Sequence, residues 1–428
     1  MPTFVARVKN SPILKNLTIL VSGAALAQLV GILAAPLLSR LYSPEDFGVV
    51  GLILAVVGVL SVISSLKYEM ALVLEKNDEN AAAIQKLCWR LLLSTTTLFG
   101  IVILTTPLWL GKWIHDEGLS IYLPWSIPLI FLTGYFNILS FKKNRDGRYK
   151  TLSLAGVGRR SGLVLTQIIF GFCGAQVLGL VLGNLIGCML AVAILLLTDR
   201  KQSPVQLKNT TSIPEQARKY RRFAIYSAPQ NLLNALSQNI AVYILGYFFG
   251  VEVVGAYWLA MRLLQLPSNL IVQSVRQVLY KRFSETRDEI EEVRRLYKKS
   301  VLTMSMLMIP VVLLMFLYGP ELFGFVLGEE WTLAGEYSSW MVLWIAAGFV
   351  NPAAVCLFTV YSKQRHFAVY DFILLLFRAT SLFIGGIYFS SLEAIALYSL
   401  VGFVFNLYIV VYWFYALSKN DEHSLVEI

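Results

Sequence analysis

Charge is scarce in this chain. Asp, Glu, Lys and Arg make up 14% of its 428 residues, against 57% hydrophobic residues, and the mean hydropathy is +0.65. Soluble domains average about 25% charged residues, so this composition excludes an ordinary soluble globule. Cysteine is nearly absent. Cys88, Cys173, Cys188 and Cys356 lie in or at the edge of apolar stretches, which excludes a disulfide framework and reads them as packing residues. The three histidines, His115, His366 and His423, stand in separate segments and form no metal-ligand pattern. There is no Gly-rich phosphate loop, nucleophile elbow or Cys/His cluster. The first apolar run is too long for the core of a cleavable signal and ends without a small-residue cleavage site.

What the chain does have is a succession of apolar stretches. They run near residues 17–42, 46–73, 84–108, 118–140, 152–173 and 175–198, then 223–249, 252–279, 298–319, 333–361, 367–388 and 391–417. A helix rises about 1.5 Å per residue and a bilayer core is about 30 Å thick, so each is long enough to cross. Twelve transmembrane helices and an all-α polytopic membrane protein follow.

The 36 basic residues sort by loop. Lys67, Lys76 and Lys86, the run from Lys142 to Lys150, the cluster from Arg200 to Arg222, the run from Lys281 to Lys299, and Lys363 and Arg365 all fall on one side, with both ends of the chain. The alternate loops hold only Lys112. The positive-inside rule then places both termini in the cytoplasm. The net charge of +10 is topological, dispersed over short loops at an anionic leaflet, and does not indicate nucleic-acid binding.

The longest outer loop, near 320–332, cannot hold a growing glycan acceptor, and the inner loops 199–222 and 280–298 are too small for a catalytic domain. This disfavours a membrane glycan polymerase or glycosyltransferase. Glu45 and Asp46 do not read as a metal-binding carboxylate pair. Ser43, Pro44, Glu45 and Asp46 fit Ncap, N1, N2 and N3 of a helix, with acids at the positive end of its dipole.

Outside the loops stand Arg40, Arg90, Arg159, Arg160, Arg262, Arg276 and Arg378. Arg90, Arg159, Arg160 and Arg276 read as close enough to the inner surface to snorkel. Arg262 and Arg378 read as near the midplane, where an arginine costs at least about 2.5–3.5 kcal/mol unless it meets water or a partner. No carboxylate shares their depth, so the interior is net positive. Asp371, two turns before Arg378, offers it a pairing alternative.

Trp258, Arg262 and Gln265 share a helix face. Such a stripe suits a sugar joined to a phosphate, through stacking, charge and hydrogen bonding, while bundle packing accounts for Trp258 equally. Asn231, Asn234 and Gln238 form a polar stripe after Pro229, either for a wet cavity or for hydrogen bonds between helices. Pro36, Pro229 and Pro267 offer bends. Arg40 could snorkel or pair with Glu45 or Asp46. Lys67 and Glu69 could form an inner gate or an interfacial ion pair.

Leu38–Gly48 can be laid on Leu245–Gly255, each a helix end, a tight outer turn and a glycine opening a long helix. Six helices precede and six follow the 199–222 segment, which suggests a parallel duplication: an N-terminal lobe over 1–198, a cytoplasmic linker over 199–222 and a C-terminal lobe with a tail over 223–428.

This architecture, the Asn16-Leu17-Thr18 opening of a Gly/Ala-rich first helix, and the run from Leu38 to Gly48 resemble the Wzx-type polysaccharide flippases of the multidrug/oligosaccharidyl-lipid/polysaccharide (MOP) exporter superfamily. The resemblance implies a V-shaped bundle in the bacterial inner membrane. By alternating access it would move an undecaprenyl-diphosphate-linked oligosaccharide to the outer leaflet for O-antigen or other surface polysaccharide. The cationic cavity lining of that family would fall on Arg262 and Arg378. No cofactor is implied. An ion gradient, most simply protons, would drive transport, with Asp371 and Glu69 the candidate titrating groups. A polysaccharide polymerase and a chain-length regulator would be partners beside the membrane lipid. A cationic-drug exporter of the same superfamily remains an alternative, and would want a central acid. A peptidoglycan-precursor flippase is the nearest rival by chemistry and usually carries two further helices.

Overall fold

The computed structural model describes residues 12–105, 117–198 and 212–418. Most of the first linker, the outer segment with Lys112 and His115, and the C-terminal tail therefore lie outside the described residues. So do the side chains of Asn16, Leu17, Thr18 and Pro267. Every regular element among the described residues is helical.

The helices, in chain order, are α1 (Pro12–Leu41), α2 (Pro44–Val62), the short α3 (Ala71–Leu74), α4 (Asp78–Thr105), the short α5 (Glu117–Tyr122), α6 (Ser126–Arg145), α7 (Tyr149–Phe172), α8 (Gln176–Leu197) and the short α9 (Ile213–Lys219). There follow α10 (Ala228–Phe249), α11 (Val251–Glu285), α12 (Ile290–Leu327), α13 (Thr332–Val350), the short α14 (Pro352–Val360), α15 (Gln364–Tyr388) and α16 (Ser391–Ser418). Among the described residues, ten helical segments are long and apolar enough to cross a membrane. They match ten of the twelve expected stretches. The other two, 152–173 and 252–279, are helical as α7 and α11 and long enough to span, at 24 and 35 residues. Lys150, Arg159 and Arg160 on α7, and Arg262, Gln265 and Arg276 on α11, keep their hydropathy low.

Local chemistry sets the ends. Asp46 donates its backbone N–H to Ser43 Oγ at 3.2 Å, and the Ser43 N–H donates to Asp46 Oδ2 at 3.1 Å. This capping box, with Pro44 in the first turn, opens α2 as the sequence indicates. The far end of α2 differs from expectation. The apolar run to residue 73 is not one helix, because α2 stops at Val62 and the chain turns through left-handed Leu66 (φ 49°) and Lys67 (φ 63°). Ser64 Oγ donates to the Ser61 carbonyl at 2.8 Å, a side-chain bond that competes with the helix ladder. Similarly, the stretch 333–361 breaks at Asn351, whose amide faces that of Asn406 on α16, and resumes at Pro352.

A further break, at Pro320, adds to the three prolines noted in the sequence. Pro36 lies inside α1, Pro229 follows a π-helical turn over Phe223–Ser227, and α11 runs on through position 267. In α12 the backbone leaves helical geometry at Tyr318 (φ −129°), just before Gly319 and Pro320. Gly319 meets Gly335 of α13 there: a Cβ on Gly335 would stand 2.5 Å from the Gly319 carbonyl oxygen. Only glycine allows that approach.

The chain divides into two compact units, Met1–Tyr243 and Ile244–Ile428. In the first, α7 packs between α1 and α8, and α6 packs on α2, α4 and α8. Its core includes Ile53, Ile84, Leu92, Ile130 and Ile138. The division between these units falls inside α10. The reason is that Phe223 and Ala224 pack with Tyr68, Leu72 and Ile84 of the first unit. In the second unit α13 packs on α11, α12 and α16, and α16 also packs on α15, around Trp331, Tyr337, Met341, Leu357 and Trp413.

The visible end of the linker is docked on the first unit. Lys219 Nζ lies 2.6 Å from Glu75 Oε2, and the Tyr220 hydroxyl donates to the same oxygen at 2.8 Å. The Tyr68 hydroxyl donates to the Ala217 carbonyl at 3.0 Å. Arg145 at the end of α6 completes the clasp, donating to the carbonyls of Glu75 and Lys76 and to Asp78. The Lys219 ammonium and the Tyr220 hydroxyl hold the Glu75 carboxyl down to about 2.

Candidate functional site

Each of the two deep arginines of the second unit lies over aromatic rings. On α11, Arg262 follows Trp258 by one turn, and its Cζ lies 5.0 Å from the indole centroid. Both side chains, and Gln265, are half-buried. The residue beside Trp258, Tyr257, is buried and hydrogen-bonded to Tyr398 of α16. Tyr398 in turn faces Arg378 of α15, with 4.9 Å between Cζ and ring centroid.

Arg378 occupies a corner of two rings. Trp344 of α13 lies 4.3 Å from its Cζ, and the Trp344 and Tyr398 rings are perpendicular, at 89° and 6.2 Å between centroids. α16 admits the guanidinium at Gly402, where a Cβ would stand 2.1 Å from Nη2. Nε and Nη2 are buried with no hydrogen-bond acceptor among the described residues. Cation–π attraction of about 2 kcal/mol or more per desolvated contact offsets part of the cost of taking the cation from water. It leaves directional donors unmatched, and a phosphate oxygen is the acceptor such donors bind most strongly.

Asp371 does not serve as the partner. It is exposed two turns earlier on α15, and the cation whose field reaches it is Arg276 of α11. Trp344, Tyr398, Tyr257 and Gly402 were not singled out in the sequence. Each is an unremarkable aromatic or small residue in an apolar run until α13, α15 and α16 are known to be neighbours.

The first unit contains a related arrangement. Arg160 stands 11 residues into α7, about 16 Å or three turns along its axis. Its guanidinium lies against Gly31 of α1, where a Cβ would be 2.0 Å from Nη2, and the neighbouring Arg159 lies 5.2 Å from the Phe136 ring.

The polar stripe on α10 satisfies itself. Asn231 donates to the Ser227 carbonyl at 2.8 Å and Gln238 donates to Asn234 Oδ1 at 3.3 Å. Asn234 and Gln238 are exposed, and among the described residues the hydrogen bonds of this stripe stay within its own segment. Arg40 is exposed at the end of α1, and Asp46, one of its possible partners, is engaged in the α2 cap. Lys67 Nζ lies 3.7 Å from Glu69 Oε1, and buried Glu69 also accepts from Ser65 Oγ. That geometry is a local ion pair at the break after α2.

Known proteins bear on this arrangement. A family model described as "Polysaccharide biosynthesis protein" matches residues 37–335. The chain belongs to this family. It is 23% identical over 322 residues to an uncharacterized membrane protein in the cps region of Klebsiella pneumoniae. It is 20% identical over 325 residues to the succinoglycan biosynthesis transport protein ExoT of Rhizobium meliloti. Each match covers 74% of this chain and 63% of the relative, so the chain spans less than two thirds of their length.

Among solved structures, an inward-facing multidrug resistance MATE family transporter of the MOP superfamily superposes with a TM-score of 0.71 at 15% identity, over 95% of this chain and 99% of that one. The lipid II flippase MurJ, in an inward closed conformation, gives 0.69 at 14% identity, over 95% and 91%. The fold is that of the MOP transporters, and the protein is a multi-pass membrane protein.

Proposed function

We propose that this protein is a flippase that carries undecaprenyl-diphosphate-linked oligosaccharide repeat units from the inner to the outer leaflet of a bacterial inner membrane. The observation that carries the proposal is Arg378: a deep guanidinium held by two rings, with two buried donors that meet no acceptor among the described residues, in a polysaccharide-biosynthesis family member with a MOP fold. A cationic drug would require an acid at that depth. A diphosphate requires cations, and Arg378 with Arg262 supplies them. Trp258 and Gln265, one turn either side of Arg262, suit the adjoining sugar by stacking and hydrogen bonding. The exposed amides Asn234 and Gln238, with Asn231, offer a wet surface along which a glycan can move.

Transport is driven by a proton gradient in this reading. Glu69, beside Lys67 and Ser65, and Asp371, in the field of Arg276, are the carboxylates placed to exchange the proton. Lys67 and Arg40 lie toward opposite ends of the path. A polysaccharide polymerase and a chain-length regulator would take up the delivered units.

The test is replacement of Arg378 and Arg262, singly, by Ala in cells that depend on this chain for surface glycan. Each variant is expected to stay in the membrane at wild-type level while surface glycan is lost and lipid-linked units accumulate inside. Arg378→Lys keeps the charge but loses the planar stacking between Trp344 and Tyr398, so a partial defect is expected. Wild-type glycan in both alanine variants would remove the cationic site from the mechanism.

A further inference from the structure

A groove of about 710 Å³ runs between α15 and α16, apart from the Arg378 corner. Its two ends differ in chemistry. At the start of α15, next to the basic inner loop, it is bordered by exposed Arg365 and His366, with Tyr412 of α16 opposite. Eight residues further, about 12 Å deeper, it is bordered by Ile373 and Val404. The intervening wall is a ladder of rings: Tyr370 lies nearly parallel to Tyr408, at 14°, and Phe358 to Tyr412, at 12°. Tyr370 is 9% exposed, and its hydroxyl has no hydrogen-bond partner among the described residues.

We infer that this groove seats the phosphate-proximal isoprenoid units of a polyprenyl phosphate, with the phosphate at Arg365 and His366 in the inner leaflet. The Arg365 guanidinium and the imidazole of His366 at the mouth match the phosphate by charge and hydrogen bonding, and an apolar interior matches the chain. A single trench between two helices takes one chain, where a phospholipid brings two. The ring ladder gives flat shelves to a methyl-branched, unsaturated chain. The inference rests on the flippase reading and adds where the carrier waits before translocation.

The full chain is reconstituted in phosphatidylethanolamine–phosphatidylglycerol vesicles containing radiolabelled undecaprenyl phosphate. Photoreactive benzoylphenylalanine is placed singly at Val369 or Val404, both 59% exposed, or at Leu302 of α12, 57% exposed, as a lipid-facing control. Labelling is expected to be severalfold higher at Val369 and Val404 than at Leu302. It should fall in R365A/H366A, and should be competed by unlabelled undecaprenyl phosphate but not by added phosphatidylglycerol. Equal labelling at all three positions, or equal competition by phosphatidylglycerol, would overturn the inference by reducing the groove to ordinary lipid contact. Translocation in the same vesicles is scored separately. Selective labelling without translocation would leave the groove as a carrier site and count against the flippase, whereas translocation with uniform labelling would sink the groove alone.

Discussion

At the scale of single residues, the arginines show how depth and neighbours decide a role. Arg262 and Arg378 were legible in the sequence because a cation in the middle of an apolar run is expensive. The rings that hold Arg378 were not, since Trp344 and Tyr398 come from helices whose adjacency no local pattern reveals. Gly402 is the most specific element of that corner. Gly402→Leu should drive the guanidinium off its seat, because even a Cβ would stand 2.1 Å from Nη2. The expected result is loss of glycan export comparable to Arg378→Ala, measured beside membrane abundance. A capping residue behaves differently: Ser43→Ala removes the acceptor for the Asp46 N–H, and should cost about 1 kcal/mol in a denaturation measurement with little change in transport.

Glu75 supplies a pH dependence. Its folded-state value near 2 lies below the ordinary carboxylate range, so the clasp it forms with Lys219 and Tyr220 is fully present at neutral pH. That stabilisation is lost as pH falls from the ordinary range through about 2. Glu75→Gln should therefore increase hydrogen exchange across Ile213–Lys219 at pH 7, and the difference from wild type should shrink in acid. An equal difference at pH 7 and in strong acid would contradict the sign.

At the scale of elements, hydropathy located membrane helices but not their interruptions. The run from 46 to 73 is apolar throughout, so nothing in its hydropathy marks the left-handed turn at Leu66 and Lys67. The information lies in Ser61, Ser64 and Ser65, whose hydroxyls offer the backbone and Glu69 other partners. The break at Asn351-Pro352 and the kink before Gly319-Pro320 are similar, with the decisive residues present but submerged in apolar sequence. By contrast the α2 cap was legible residue by residue, because Ser43 to Asp46 act on one another locally. For the Gly319–Gly335 crossing, Gly335→Leu should push α12 from α13 and lower thermal stability by an amount typical of an overpacked core, about 1–3 kcal/mol.

At the scale of the whole molecule, the class of protein followed from composition, and its fold from the succession of apolar stretches. The chain groups into two compact units that divide inside α10, and the packing of Phe223 and Ala224 on the first unit is a tertiary fact that no local pattern marks. Topology can be checked without engineering. Of the four cysteines only Cys173, at the C-terminal end of α7, is exposed, while Cys88, Cys188 and Cys356 are buried. A membrane-impermeant maleimide added to intact spheroplasts should label the protein once, at Cys173, and Cys173→Ser should abolish the signal. Labelling that requires permeabilised membranes would invert the orientation.

The corner at Trp344 has an optical consequence. A positive charge 4.3 Å from an indole centroid perturbs the emission of that ring, so Trp344 is a built-in fluorophore for the state of Arg378. Subtracting the spectrum of Trp344→Phe from that of the parent isolates one tryptophan among nine. The difference would follow, in real time and without any attached dye, whether an anion has drawn the guanidinium away from its rings.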